Sequence, residues 1–382
     1  MTPQASQTIT QVPLLDLQAQ YAPIEADIRA AFETVLSEKQ FIMGPQIETL
    51  EKAAAAYCQT TYALALSSGT DALVLALMAM GIGAGDEVIT SPFTFFATAG
   101  SIARVGAKPV FVDVDPETFN IDASKIEAVI TPKTKVIMPV HLFGQMADMD
   151  SIMAIAKQHG LYVIEDAAQS LGSEYTSKDG NTYRAGTMGD VGCFSFFPSK
   201  NLGCLGDGGL VSTNSRELYE KMHIMRVHGS KPKYYHHVIG GNFRMDTLQA
   251  AFLLVKLPLL EQQHRDRIKN AAYYDQHLSD IPQIQKPVVK TPGRMIYNQY
   301  TLVAKNRDAL HKALNEANVG NAIYYPVPLH LQDCFAYLGH KAGDFPITEQ
   351  RVADVLSIPI YSELSESQMN YVVQAIRKFY GA

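Results

Sequence analysis

Short runs dense in Val, Ile, Leu and Phe recur along the first half of the chain, at Tyr62–Leu66, Glu87–Thr90, Lys108–Val114, Lys135–Leu142 and Leu161–Asp166. Between them, stretches of helical period at Asp71–Met80, Ala123–Ile130 and Met149–His159 are long enough to carry the chain back across a sheet. The alternation predicts a doubly wound α/β unit whose parallel strands are covered by helices on both faces. Two helices, Tyr21–Glu38 and Pro45–Cys58, are expected ahead of it, the second with proline in a favourable first-turn position. After strands at Asp190–Phe197 and Gly209–Thr213 the pattern turns helical over Ser215–Val227 and Met245–Leu278, the latter interrupted near Pro258. Strands at Tyr300–Val303, Asn321–Tyr325 and Ser357–Ile360, with helices Arg307–Ala317 and Ser365–Lys378, predict a second, smaller α+β unit. The Pro- and Gly-bearing stretch Ile281–Arg294 is the expected hinge. The expected division is a flexible tail over residues 1–12, a large domain over 13–255, and a helical connection with the small domain over 256–382.

Composition narrows the classes of function. Of 382 residues, 47% are hydrophobic and 18% charged, the make-up of a globular protein. The 32 basic and 38 acidic side chains give a net charge of −6. The basic residues are scattered, so nucleic acid is not an expected partner. The longest apolar run, Ala72 to Ala84, falls short of the ~20 residues a bilayer crossing needs. The N-terminus lacks both the positive start and the apolar stretch of a secretion signal. Four cysteines, Cys58, Cys193, Cys204 and Cys334, lie far apart without a C-x-x-C pair. They suit neither a disulfide framework nor a zinc ribbon, and a reducing cytoplasm is expected.

In α/β sheets, ligands gather at the carboxyl ends of the strands, and three polar elements fall there. Ser67-Ser68-Gly69-Thr70-Asp71 links a strand to a helix, where free N–H groups and the helix dipole suit a phosphate. Glu165-Asp166 ends an apolar strand and places a carboxylate where a cation would be held. Lys200 closes the aromatic run Cys193–Ser199 ahead of several glycines, and desolvation there would leave its amine free for Schiff-base chemistry. Taken singly, the first two are ordinary caps and the third a snorkelling lysine. Together with the aromatic turn Phe93-Thr94-Phe95-Phe96, they supply what pyridoxal 5′-phosphate requires: a phosphate cradle, an aldehyde-holding amine, an acid for the pyridine nitrogen and a ring cover.

On these residues the sequence resembles the DegT/StrS-type nucleotide-sugar aminotransferases, which have the aspartate-aminotransferase fold (fold type I of the pyridoxal-phosphate enzymes). The likeness runs from Pro13-Leu14-Leu15-Asp16-Leu17 to the last helix. It is carried by Ser68-Gly69-Thr70-Asp71-Ala72-Leu73, Pro139–Gly144, Glu165-Asp166-Ala167-Ala168-Gln169, Phe194–Asn201 and Gly241–Asp246. The resemblance implies that the large domain binds the cofactor, that Lys200 holds it as an internal aldimine, and that Asp166 partners the pyridine nitrogen. It also implies that Gln169 lies near the ring hydroxyl, that Phe95 stacks on the ring, and that Gly69, Thr70 and Ser195 hold the phosphate. Asn242 would reach the cofactor phosphate of a neighbouring subunit in a homodimer with shared active sites. The implied reaction is ping-pong transfer of an amine from glutamate or glutamine to a nucleotide-linked keto-sugar, for amino-sugar, surface-polysaccharide or lipopolysaccharide biosynthesis. Lys200 would shuttle the proton between the donor α-carbon and the cofactor. Sugar 3-dehydratases of the family have histidine at the lysine position, so Lys200 points to amine transfer.

Arg244, His330 and Tyr325 are the expected substrate contacts. A guanidinium clamp at Arg244 would suit a hexuronate. Gly81–Gly85 ends a helix and is no dinucleotide fingerprint. The adjacent pair His236-His237 is poorly placed to share one ion, and no metal is expected. A regulatory protein that binds pyridoxal phosphate without turnover is the alternative function.

Overall fold

Odd and even positions of the central strands go to opposite sides of one sheet, and both sides are buried. Ala63 and Ala65 of strand Tyr62–Leu66 join one core with Ile89, Ile137 and Val163, whereas Leu64 and Leu66 join another with Val88, Val136 and Ile164. Burial on both faces is why these strands read as unbroken apolar runs. The computed structural model describes residues 9–290 and 292–382. Its main sheet has seven strands in the order Tyr62–Leu66, Gly209–Thr213, Val191–Ser195, Tyr162–Asp166, Thr134–Ile137, Glu87–Thr90 and Lys108–Phe111. Gly209–Thr213 runs antiparallel to both of its neighbours; the remaining pairs are parallel.

Helices Pro45–Cys58, Met149–His159 and Thr247–Lys256 cover the first face through Leu50, Ile152 and Leu253. Helices Gly69–Ala79, Ala97–Arg104 and Arg216–Met225 cover the second through Leu75, Ile102 and Met222. The expected α/β class holds. Gly69–Ala79 lies between the sheet and its two sister helices, which is why it is apolar on nearly every side. A second core surrounds the antiparallel strands Ile284–Gln285, Tyr300–Ala304 and Val355–Ile358, packed by helices Leu260–His277, Arg307–Glu316 and Glu366–Tyr380. Phe93, Phe143 and Val140, from loops at the end of the main sheet, also enter this core. Among the described residues no helix is long and apolar enough to cross a membrane.

Several expectations are corrected. Ala123–Ile130 forms two single 3-10 turns, Ala123–Lys125 and Glu127–Val129, because β-branched Val129-Ile130-Thr131 and Pro132 oppose a continued helix. The pattern missed helix Ala97–Arg104, which carries the chain between strands Glu87–Thr90 and Lys108–Phe111. Asn321–Tyr325 is no strand: only Ala322 bridges to Ser357, and Pro326 and Pro328 turn the chain away. The expected hinge stretch Ile281–Arg294 makes contacts at both of its ends. Ile284–Gln285 pairs with Tyr300–Ala304, and the Arg294 guanidinium sits 2.8 Å from Glu261 and 3.1 Å from Glu174. Of the expected tail, residues 1–8 lie outside the described residues, and Val12 is fully buried where it pairs with Val319.

Candidate active site

The turn after strand Tyr62–Leu66 is built for close approach. Ser68 caps helix Gly69–Ala79, its Oγ accepting from Asp71 N–H at 3.0 Å, and Ser67 Oγ donates to the Asp71 carboxylate at 2.6 Å. The N–H groups of Gly69 and Thr70 have no partner within the helix. A Cβ on Gly69 would stand 2.7 Å from Ser195 Cβ, and one on Gly209 would stand 2.3 Å from the Ser68 carbonyl. Glycine at both places lets the helix start press against strands Val191–Ser195 and Gly209–Thr213, leaving an anion cradle of backbone donors and the Thr70 and Ser195 hydroxyls.

Asp166 ends strand Tyr162–Asp166, its side chain buried at the cavity floor. Thr98 Oγ1 donates to one carboxylate oxygen at 2.7 Å and Ala168 N–H to the other at 3.3 Å. Burial pushes the Asp166 carboxyl above its ordinary value, against the lowering pull of these bonds and of the Lys200 charge. A carboxylate so placed favours a buried cation beside it. Behind it, Glu165 is fully buried and accepts from the N–H groups of Gly186, Met188 and Gly189 at 2.7, 2.9 and 2.6 Å and from His141 Nε2 at 2.7 Å. His141 Nδ1 in turn accepts from Ala147 N–H at 3.2 Å, so the Nε2 nitrogen carries the proton toward Glu165.

Lys200 lies in the turn after strand Val191–Ser195. Burial brings its amine down to about 8, although the Asp166 carboxylate pulls the other way. Lys200, Asp166, Gly69, Thr70 and Ser195 line one cavity of about 400 Å³. Phe95 and Gln169 line it too, as do Tyr324, Tyr325 and Gln299. Gln169 Oε1 accepts from Phe143 N–H at 2.6 Å and its amide donates to Tyr325 Oη at 3.1 Å, while the largely exposed Phe95 ring stands 6.2 Å from the Tyr325 ring.

Three expected contacts are not brought into this cavity by the single chain. His330, expected as a substrate contact, is fully buried and held by Glu349 at 3.1 Å, packed on Phe345. Asn242 is exposed, its backbone bridging Val227, and Arg244 bridges Leu66 just ahead of the Ser67–Thr70 turn. Sequence reasoning missed Thr94, Thr98, Gln299 and Tyr324. The hydroxyls of Thr94 and Thr98 are four residues apart, but nothing local shows that they meet Asp166.

The cradle, the ionisable floor and the low-pKa amine fit a phosphorylated pyridine aldehyde. A family model described as the DegT/DnrJ/EryC1/StrS aminotransferase family matches residues 23–377. The chain is 50% identical over 371 residues to a Geobacillus stearothermophilus protein named pleiotropic regulatory protein, covering 97% of this chain and 98% of the other. It is 43% identical over 370 residues to the UDP-N-acetyl-3-dehydro-alpha-D-glucosamine 3-aminotransferase of Acidithiobacillus ferrooxidans, again covering 97% and 98%. Among solved structures it is similar to S. venezuelae DesV in complex with a ketimine intermediate, with TM-score 0.94 and 38% identity over 98% of this chain and 100% of that one. It is also similar to Bacillus subtilis ntda with bound cofactor PMP, with TM-score 0.90 and 31% identity over 99% of this chain and 87% of that one. The chain belongs to the DegT/DnrJ/EryC1/StrS aminotransferase family and is an aminotransferase that uses pyridoxal 5′-phosphate.

Proposed function

We propose that this enzyme moves an amino group from glutamate or glutamine to the keto group of a nucleotide-linked sugar, by a ping-pong route through one site. The observation that carries the reading is that Lys200 and Asp166 line the same cavity as the helix start Ser68–Thr70 and Ser195. The name of the Acidithiobacillus relative supports a 3-keto sugar as acceptor. Gly69, Thr70 and Ser195 would hold the phosphate, Asp166 the ring nitrogen, Gln169 the ring hydroxyl, and Phe95 would cover the ring. When bound, the cofactor supplies an aldehyde that carries the amine and a ring that draws off electrons. Lys200 Nζ, neutral once displaced, would take the proton from the donor α-carbon and pass it to the cofactor carbon that keeps the amine, and would run the same transfer in reverse toward the keto-sugar. Asn242 is exposed on its own chain, which supports a homodimer in which it serves the neighbouring copy. The four thiols are free, as suits a reducing cytoplasm.

The relative named as a regulatory protein favours a second reading, cofactor binding without turnover. One measurement separates the two. The loaded protein is mixed with glutamate alone: an aminotransferase releases 2-oxoglutarate in one stoichiometric burst and loses its visible absorbance, and a UDP- or dTDP-linked 3-keto sugar restores it. Absorbance that survives every donor sinks the enzyme reading.

The amine of Lys200 also dictates a pH dependence. With its value at about 8, roughly a tenth of the amine is neutral at pH 7, against well under a thousandth for an ordinary lysine. Capture of pyridoxal phosphate by the cofactor-free protein therefore speeds up about tenfold per pH unit below about 8 and then levels off. The Asp166 charge holds that value up, so Asp166→Asn moves the levelling to lower pH. A plateau that stays put in the variant, or that lies near pH 10 in the wild type, contradicts this account of the amine.

A further inference from the structure

Thr98 is fully buried in the first turn of helix Ala97–Arg104, and its Oγ1 donates to Asp166 Oδ2 at 2.7 Å. Thr94, on the cavity wall in the bend ahead of the helix, lies four residues before it, the two hydroxyl oxygens 3.0 Å apart. An ionised carboxylate can only accept, so Thr98 must direct its single proton to Asp166. The contact between the hydroxyls is then made with the Thr94 proton, and Thr94 meets the cavity with lone pairs only. Asp166 is left with one oxygen satisfied from behind by Thr98 and the other touched by Ala168 N–H at 3.3 Å.

We infer that Thr98 is a positioning residue: with Thr94 it forms a one-way hydroxyl relay that keeps Asp166 ionised and aimed at a protonated ring nitrogen. This rests on the reading of Asp166 as the partner of that nitrogen. The relay matters because burial works against the carboxylate, and each donated bond returns it toward the charged form. Without the hydroxyl, Asp166 can take up a proton from solvent, and a neutral acid no longer distinguishes a pyridinium from an uncharged ring.

The test compares the binding of two ligands to the cofactor-free protein, pyridoxal 5′-phosphate and its 1-deaza analogue, in which carbon replaces the ring nitrogen. Both keep the aldehyde and the phosphate, so Lys200 and the cradle contribute equally to each. The wild type should prefer the natural cofactor by about tenfold or more, the scale of a hydrogen bond between charged groups. Thr98→Val, nearly equal in shape, should cut that preference at least threefold, and Thr98→Ser, which keeps the donor, should retain it. Equal preference in Thr98→Val and wild type, with Asp166→Asn losing it, overturns the relay and leaves Asp166 in its role. A wild type without preference, or one in which Asp166→Asn changes nothing, overturns the reading of Asp166 itself. Loss of preference in Thr98→Ser as well as Thr98→Val assigns the effect to packing and also overturns the relay.

Discussion

Lys200→Ala lowers turnover by roughly 10⁴-fold, the upper range for removal of a positioned proton carrier, and leaves the protein folded. The side chain performs two tasks that no neighbour can assume. It is an amine at the cavity that burial brings to about 8, and in the proposed reaction it is the base for the donor α-carbon. Lys256 is the other lysine that burial brings to about 8, but its Nζ is committed to the Gly203 carbonyl at 3.0 Å and Gln20 Oε1 at 3.1 Å, beneath the turn. Stability should change by no more than about 0.5 kcal/mol, since truncation removes a desolvated cation that holds no structural bond. Single-turnover release of 2-oxoglutarate from glutamate measures the first effect and thermal unfolding the second. Turnover within tenfold of wild type would place the essential amine elsewhere. Collapse of the fold would instead make Lys200 a structural residue.

The largest effect on stability is expected at Glu165, which touches neither substrate nor cofactor. Its fully buried carboxylate collects three backbone N–H groups from the segment Gly186–Gly189 and one proton from His141. Glu165→Ala strands these donors and should cost about 2–5 kcal/mol, since the buried Gly186 N–H and His141 Nε2–H are left unpaired at roughly 1–3 kcal/mol each. Glu165→Gln keeps one acceptor oxygen but turns an amide donor on the remaining protons, so its loss is intermediate. The unfolding midpoint should fall in the order wild type, Glu165→Gln, Glu165→Ala. Midpoints that coincide would mean that solvent reaches this pocket and satisfies the donors. Because the Asp166 N–H and C=O bond to the Pro139 and His141 backbone, the same damage should loosen the floor of the site and weaken cofactor binding in parallel.

Much of the architecture was legible because its causes are local. Five-residue strands such as Tyr62–Leu66, the helix Pro45–Cys58 with proline in its first turn, and the capped helix Met149–His159 follow from periodicity and end signals within a few residues. The failures have local causes as well. Ala123–Ile130 has helical composition, but proline and β-branched residues follow it closely. Asn321–Tyr325 has strand composition, but prolines withhold ladder hydrogen bonds.

The sequence by itself also determined the chemical types at the site: a glycine-opened helix start, an acid at a strand end and a lysine after an aromatic run. Only the tertiary structure decided which of them meet. Thr98 and Asp166 are 68 residues apart and Gln169 and Tyr325 are 156 apart, yet each pair shares a hydrogen bond. His330, equally polar on paper, was drawn into a buried pair with Glu349. The physical reason is that caps and periodicity depend on neighbours within a turn or two, whereas desolvation, the lowered amine of Lys200 and the one-way bonding of Asp166 arise only when distant segments exclude water together.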